Sequence, residues 1–152
     1  MSAFNELGHL KMQANTLRDQ YGQTQAHNAS LLDLTSGNVS NQDCKAIIAF
    51  IQAAKESLRR VYLGSNRLNG EGLTQLAPAL CSVPHLSELW LGDNPISDAG
   101  VSSLAAELHQ LTELSELWLC GNNISDAGAV ALGTSLREKP LPELKNLMLN
   151  DN

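Results

Sequence analysis

Leu86–Ile96 reads LSELWLGDNPI, and close copies of it recur along the chain. LRRVYLGSNRL begins at Leu58, LSELWLCGNNI at Leu114 and a clipped LKNLMLNDN at Leu144, so successive copies are 28, 28 and 30 residues apart. A degenerate copy, ASLLDLTSGNV, begins at Ala29, 29 residues before Leu58. Self-similarity at a fixed period of this size marks a stacked array, in which each unit buries its apolar face only against its neighbours.

Each copy divides into two halves. In the first, an alternation of apolar residues (Leu32 and Leu34, Val61 and Leu63, Leu89 and Leu91, Leu117 and Leu119, Leu147 and Leu149) puts two side chains on one face of a short strand. Asn66, Asn94, Asn122 and Asn152 then recur at the ninth position. A side-chain amide there can pair backbone groups freed where the chain leaves the strand, so stacked copies predict an asparagine ladder. The first copy departs from the rule, with Gly37 at that position and Asn38 beside it, as terminal units often do.

The second half has helical spacing. Ser40, Asn69, Ser97 and Ser125 share one position and are all N-cap types. Apolar residues follow at steps of three and four: Cys44, Ile47 and Ile51; Leu73, Leu76 and Leu80; Val101, Leu104 and Leu108; Ala129, Leu132 and Leu136. Gly72, Gly100 and Gly128 occupy a shared place near each helix start, where a side chain would push the helix off the strand layer. Pro78 falls well inside its helix, where it costs about 3 kcal/mol or forces a kink.

Strand then helix, repeated, gives parallel strands. These sit about 4.8 Å apart, whereas helix axes need about 8–10 Å, so the stack must curve. The predicted fold is an α/β solenoid, a horseshoe segment with strands on the concave face and helices on the convex face. Residues 29–152 make up about four and a half such units, the last incomplete. Residues 1–28 lie outside the array; Phe4, Leu7, Leu10, Ala14, Leu17 and Tyr21 trace one helical stripe after Ser2, predicting an N-terminal capping helix. Its few basic residues, Lys11 and Arg18, argue against a membrane-docking helix. At the other end Leu144, Leu147 and Leu149 belong to a strand with no helix behind it. That predicts a fragment of a longer chain, an end covered by another chain or self-associating through its uncapped repeat, or a strand that frays.

The spelling L-x-x-L-x-L-x-x-N-x-L with a GDNPISDAGVSSLAAEL-type second half resembles the ribonuclease-inhibitor-like subclass of leucine-rich repeats over residues 29–152. Ribonuclease inhibitor, the repeat regions of NOD-like receptors and the activating protein of the Ran GTPase belong to that subclass. The resemblance implies protein recognition on the concave face, without catalysis or cofactor. Regulation of a small GTPase, by analogy with the Ran activator, and a truncated or engineered scaffold without a partner are the alternatives. A formal charge of −6 argues against a nucleic-acid module, whose footprint would be a basic stripe. No apolar run reaches bilayer length, no signal peptide opens the chain, and Cys44, Cys81 and Cys120 form no disulfide framework, which points to a cytoplasmic protein.

The side chain between the two inward apolar residues of each strand faces the concave surface. In chain order these are Asp33, Tyr62, Trp90, Trp118 and Met148, so both tryptophans fall on one row. Arg60, Glu88 and Glu116 flank the row on one side, and Gly64, Gly92, Cys120 and then Asp93 lie on the other. The predicted partner-binding set is Tyr62, Trp90, Trp118 and Met148 with Arg60, Glu88, Glu116 and Asp93, suited to a basic protein partner. Cross-strand ring packing alone is the competing explanation of the row. Glu88 and Glu116 lie on adjacent strands as an acid/base pair would, yet no closed pocket is predicted around them. Cys120 has no base placed near it, and the four histidines show no metal spacing.

Overall fold

The computed structural model describes residues 28–152. The predicted N-terminal capping helix therefore lies outside the described residues. Elements alternate in the order β1 (Leu31–Asp33), α1 (Cys44–Ala54), β2 (Arg60–Tyr62), α2 (Gly70–Cys81), β3 (Glu88–Trp90), α3 (Ser97–Glu107), β4 (Glu116–Trp118), α4 (Asp126–Glu138) and β5 (Asn146–Met148). The five strands pair in parallel, each with its neighbours in sequence, without a crossover. Between strands and helices runs one apolar layer in which Leu58, Leu63, Leu86, Leu89, Leu91, Leu114, Leu117 and Leu119 are fully buried.

The asparagine ladder is present and points backwards along the array. Asn94 Nδ2 donates to the carbonyls of Leu63 (2.9 Å) and Leu91 (3.0 Å), while its Oδ1 accepts from Leu68 N–H (3.0 Å). Asn66 does the same for the unit before it, donating to Leu34 O at 2.9 Å and accepting from Val39 N–H at 2.9 Å. Asn152 accepts from Asn122 N–H and Ile124 N–H and donates to Leu119 O. Each unit is thus closed by the asparagine of the next, which explains why Gly37 suffices in the first: no described unit precedes it for an asparagine to serve.

Two of the four expected caps, Asn69 and Ser125, close their α-helices directly, and Ser40 caps the 3-10 turn Asn41–Asp43 that leads into α1. Ser40 forms a capping box with Asp43, Asn69 Oδ1 accepts from Glu71 and Gly72 N–H, and Ser125 Oγ accepts from Ala127 N–H. Ser97 does not cap. A tight turn, with Ile96 N–H donating to Asn94 O at 2.8 Å, brings the chain into the helix early and leaves Ser97 at φ 61°, where its hydroxyl cannot fold back over the first turn. Neighbouring helix starts interlock instead. Asn41 exchanges two hydrogen bonds with Asn69, and the Asp98 carboxylate accepts from Ser125 N–H (2.7 Å), Ser125 Oγ (2.6 Å) and Gly128 N–H (3.1 Å).

That interlock explains Gly72 and Gly128, whereas a Cβ on Gly100 would meet Ile96 Cγ2 and then Gly70 Cα. A Cβ on Gly72 would stand 2.2 Å from Asn41 Oδ1, and one on Gly128 would stand 2.4 Å from Asp98 Oδ1. The obstruction comes from the preceding helix start more than from the strand layer. Pro78 does not break α2, which runs unbroken from Gly70 to Cys81. Pro78 and Thr74, four residues earlier, are both exposed, so the proline stands on the solvent side of the helix, where a missing N–H costs least. The predicted helix core positions are buried, except that Ala129 is exposed and Leu136 half-buried, and of the inward strand residues Leu34, Leu147 and Leu149 are half-buried; among the described residues no helix packs on the far side of α4.

Asn94→Ala leaves two buried carbonyls and one N–H unpaired and lowers stability by about 3–5 kcal/mol in urea unfolding; a loss under about 1 kcal/mol shows that water completes the ladder. Hydrogen bonds from the Ser125 side chain and backbone, and then from Gly128, hold the Asp98 carboxyl below its ordinary value of 3.8. Its contribution is therefore full above that value and is lost as pH falls through the lowered one. Thermal melts of wild type and Asp98→Asn should differ at neutral pH and converge in acid. A constant gap contradicts the assignment.

Candidate functional site

Strand register builds the site. Asp33 pairs with Tyr62, Tyr62 with Trp90, Trp90 with Trp118 and Trp118 with Met148, while Leu31, Arg60, Glu88, Glu116 and Asn146 form the adjacent row. Because parallel strands hold equivalent side chains about 4.8 Å apart, flat rings on one row come to stacking distance. Tyr62 and Trp90 stack with centroids 4.1 Å apart, and Trp90 and Trp118 at 4.4 Å, each pair inclined by 21°. All three rings are half-buried, and Met148 at the end of the row is exposed.

The flanking acids are less free than the spacing suggests. The Tyr62 hydroxyl donates to Glu88 Oε2. Trp118 Nε1 donates to Glu116 Oε2 at 3.2 Å, and Asn146 Nδ2 to Glu116 Oε1 at 3.4 Å. Glu88 and Glu116 therefore fix the ends of the stack as well as lending it negative charge. Trp90 Nε1, in the middle, is buried and has no acceptor among the described residues. Burial first, and then the hydrogen bond to Glu88 and its charge, push the Tyr62 phenol above its ordinary value of 10.0, with Arg60 opposing.

The other flank is more filled than expected. Gly92 is buried, and a Cβ on it would stand 2.7 Å from Cys120 Sγ, so Cys120 occupies the space beside the Trp90 row. Asp93 is exposed at φ 56°, with Ser65 Oγ 3.5 Å from its carboxylate. The eight proposed residues thus share one face: Tyr62, Trp90, Trp118 and Met148 in line, Arg60, Glu88 and Glu116 along one side, and Asp93 beyond the other. Cys44 and Cys81 lie in the core, where burial pushes their thiols up to about 11 and about 12. Among the described residues no group of three or more His, Cys, Asp or Glu could hold a metal ion, and no helix is long and apolar enough to cross a membrane.

Two devices that hold this face escaped the sequence. Ser87 Oγ donates to Arg59 O and Ser115 Oγ to Ser87 O, both at 3.0 Å, a hydroxyl ladder at the strand starts. The signal was the repeated Leu-Ser-Glu. Ser36, Ser65, Asp93, Gly121 and Asp151, each one position before the ninth, all adopt φ of 55–61°, turning the chain out of its strand in every unit. Their shared feature, a small or polar side chain, was visible without its meaning. In a Tyr21→Phe background, alkaline absorbance should show Tyr62 ionising above its ordinary value, and Glu88→Gln should bring that transition down. An unmoved transition removes Glu88 from the stack's hydrogen bonding.

Residues 54–77, 84–105 and 111–133 match the family model described as Leucine Rich repeat. Among solved structures the chain is similar to "Leiomodin-1 Actin-Binding Site 2 (ABS2)", with a TM-score of 0.67 and 17% identity over 99% of this chain and 80% of that one, a likeness of fold. A search of curated proteins finds no match. With three matched repeats on a five-stranded parallel sheet backed by helices, the chain is an α/β leucine-rich-repeat solenoid.

Proposed function

We propose that this chain is a non-enzymatic protein-interaction module that takes its partner on the concave strand face. Tyr62, Trp90, Trp118 and Met148 supply the contact area, and Arg60, Glu88, Glu116 and Asp93 set register and charge. The observation that carries the reading is the Trp90 indole, stacked on both faces with its N–H unpaired. An unpaired buried donor costs about 1–3 kcal/mol, and a phenylalanine there would stack without it. A row kept for packing alone has no need of that donor, whereas one covered by a partner's carbonyl uses it. Glu88 and Glu116, each tied to a ring of its own, support binding over acid/base chemistry.

Acids outnumber the single arginine among these eight residues, which favours a basic segment in the partner and an affinity that falls with salt. Helices of 11–13 residues behind three-residue strands favour the ribonuclease-inhibitor-like subclass. Free Cys44, Cys81 and Cys120 favour a reducing compartment such as the cytoplasm. The similar leiomodin-1 structure is titled an actin-binding site, so actin is the first partner to offer.

The test compares immobilised wild type with a Trp90→Ala/Trp118→Ala variant whose circular dichroism is unchanged, offering actin and then cell lysate. A partner held by the wild type should bind the variant at least about tenfold more weakly, the loss of one hot spot. Equal retention by both makes the row scaffold packing and sinks the concave-face reading.

A further inference from the structure

The concave face carries its charges in a fixed order. Across β2, β3 and β4 the row beside the rings reads Arg60, Glu88, Glu116, each in register with the next. Like charges directly opposite on neighbouring strands repel. No cation among the described residues answers this pair, since the ion pairs there are His85–Glu113 and Arg137–Glu138. Arg60 stands by the Tyr62 phenol instead, where its charge opposes the upward shift. Both carboxylates are nevertheless held in place. Glu88 Oε2 accepts from the Tyr62 hydroxyl and Glu116 Oε2 from Trp118 Nε1. That leaves Glu88 Oε1 without a partner among the described residues, and Glu116 Oε1 with only Asn146 Nδ2 at 3.4 Å. Trp118 thus uses the glutamate two residues before it. Glu88 holds the same place before Trp90 but is taken by Tyr62, and the Trp90 indole is left without an acceptor among the described residues.

Resting on the concave-face reading above, we propose that the partner lays an extended segment across β2, β3 and β4, with an arginine and an acidic residue two positions apart. The arginine sits between Glu88 and Glu116, and the acid stands opposite Arg60. Spacing sets this pattern. The midpoint of β3 and β4 lies about 7 Å from β2, and side chains two apart on an extended chain are about 6.5 Å apart. Adjacent residues of such a chain face opposite ways, so a nearest-neighbour pair cannot serve both places. A guanidinium suits the glutamate pair because its planar fork donates to two carboxylates at once, whereas an ammonium is a compact point charge. Backbone carbonyls of an extended chain point sideways from its side chains, so the residue between the two carries one over β3 toward the Trp90 N–H.

Selection from a displayed library of short random peptides on the immobilised wild-type chain tests it. Enriched peptides should carry an arginine two residues from an aspartate or glutamate. Glu88→Gln/Glu116→Gln keeps acceptors for Tyr62 and Trp118 while removing both charges. With unchanged circular dichroism it should bind these peptides at least about tenfold more weakly. Arg60→Glu should reject them and accept the same peptides with the acid changed to arginine. Peptides that lose Trp90→Ala/Trp118→Ala but bind the glutamine variant like the wild type leave the concave face in use and overturn the arginine assignment. Peptides that bind every variant alike sink both readings. Enrichment of lysine in place of arginine, of an unrelated pattern, or of nothing above background overturns this proposal alone, because the concave face keeps its separate test with actin and lysate.

Discussion

A strand of three residues that turns at once into a loop leaves peptide N–H and C=O groups stranded next to an apolar layer, and everything in this solenoid depends on pairing them. Asn66, Asn94 and Asn122 are buried polar side chains in a core otherwise made of leucine, valine, isoleucine, alanine and cysteine. A carboxamide offers acceptor and donors on one flat group, so it can close its own loop and the preceding one together. Aspartate would supply acceptors only, and leucine neither. The leucines set how far apart the layers lie, and the asparagines make it tolerable for the backbone to bend between them.

Much of this was legible because repetition averages over local ambiguity. A three-residue strand carries almost no signal alone, but five copies in one register fix both its existence and its partners. The same averaging fails where a unit differs from its siblings. Ser97 sits at the cap position yet turns left-handed after the tight Asn94–Ile96 turn, a departure peculiar to that unit. Contacts between repeats were harder still. That Asp98 would cap the next helix, or that Cys120 would fill the space over Gly92, depends on distances across the stack that no periodicity encodes. At the candidate site, row membership followed from alternation. How far Glu88 and Glu116 are occupied by Tyr62 and Trp118 required the side-chain geometry.

The aromatic row sets two demands against each other. Parallel pairing brings the rings to stacking distance whatever their use, so the stack itself distinguishes little. The polar edges of the rings are more telling. Tyr62 and Trp118 each have a carboxylate, whereas Trp90 between them has none. A surface shaped by stability alone tends to shed such a donor, because removing it relieves a desolvation cost.

The backward reach of the asparagines also gives the array a direction in time. Asn66 completes the unit that begins at Ala29, and Asn94 the one that begins at Leu58. On a ribosome adding about 5–20 residues per second, a unit that has left the exit tunnel must wait some seconds, on the order of one repeat's synthesis, before the residue that closes its loop emerges. Each repeat is therefore finished by its successor, and a nascent chain always carries one open loop at its growing end.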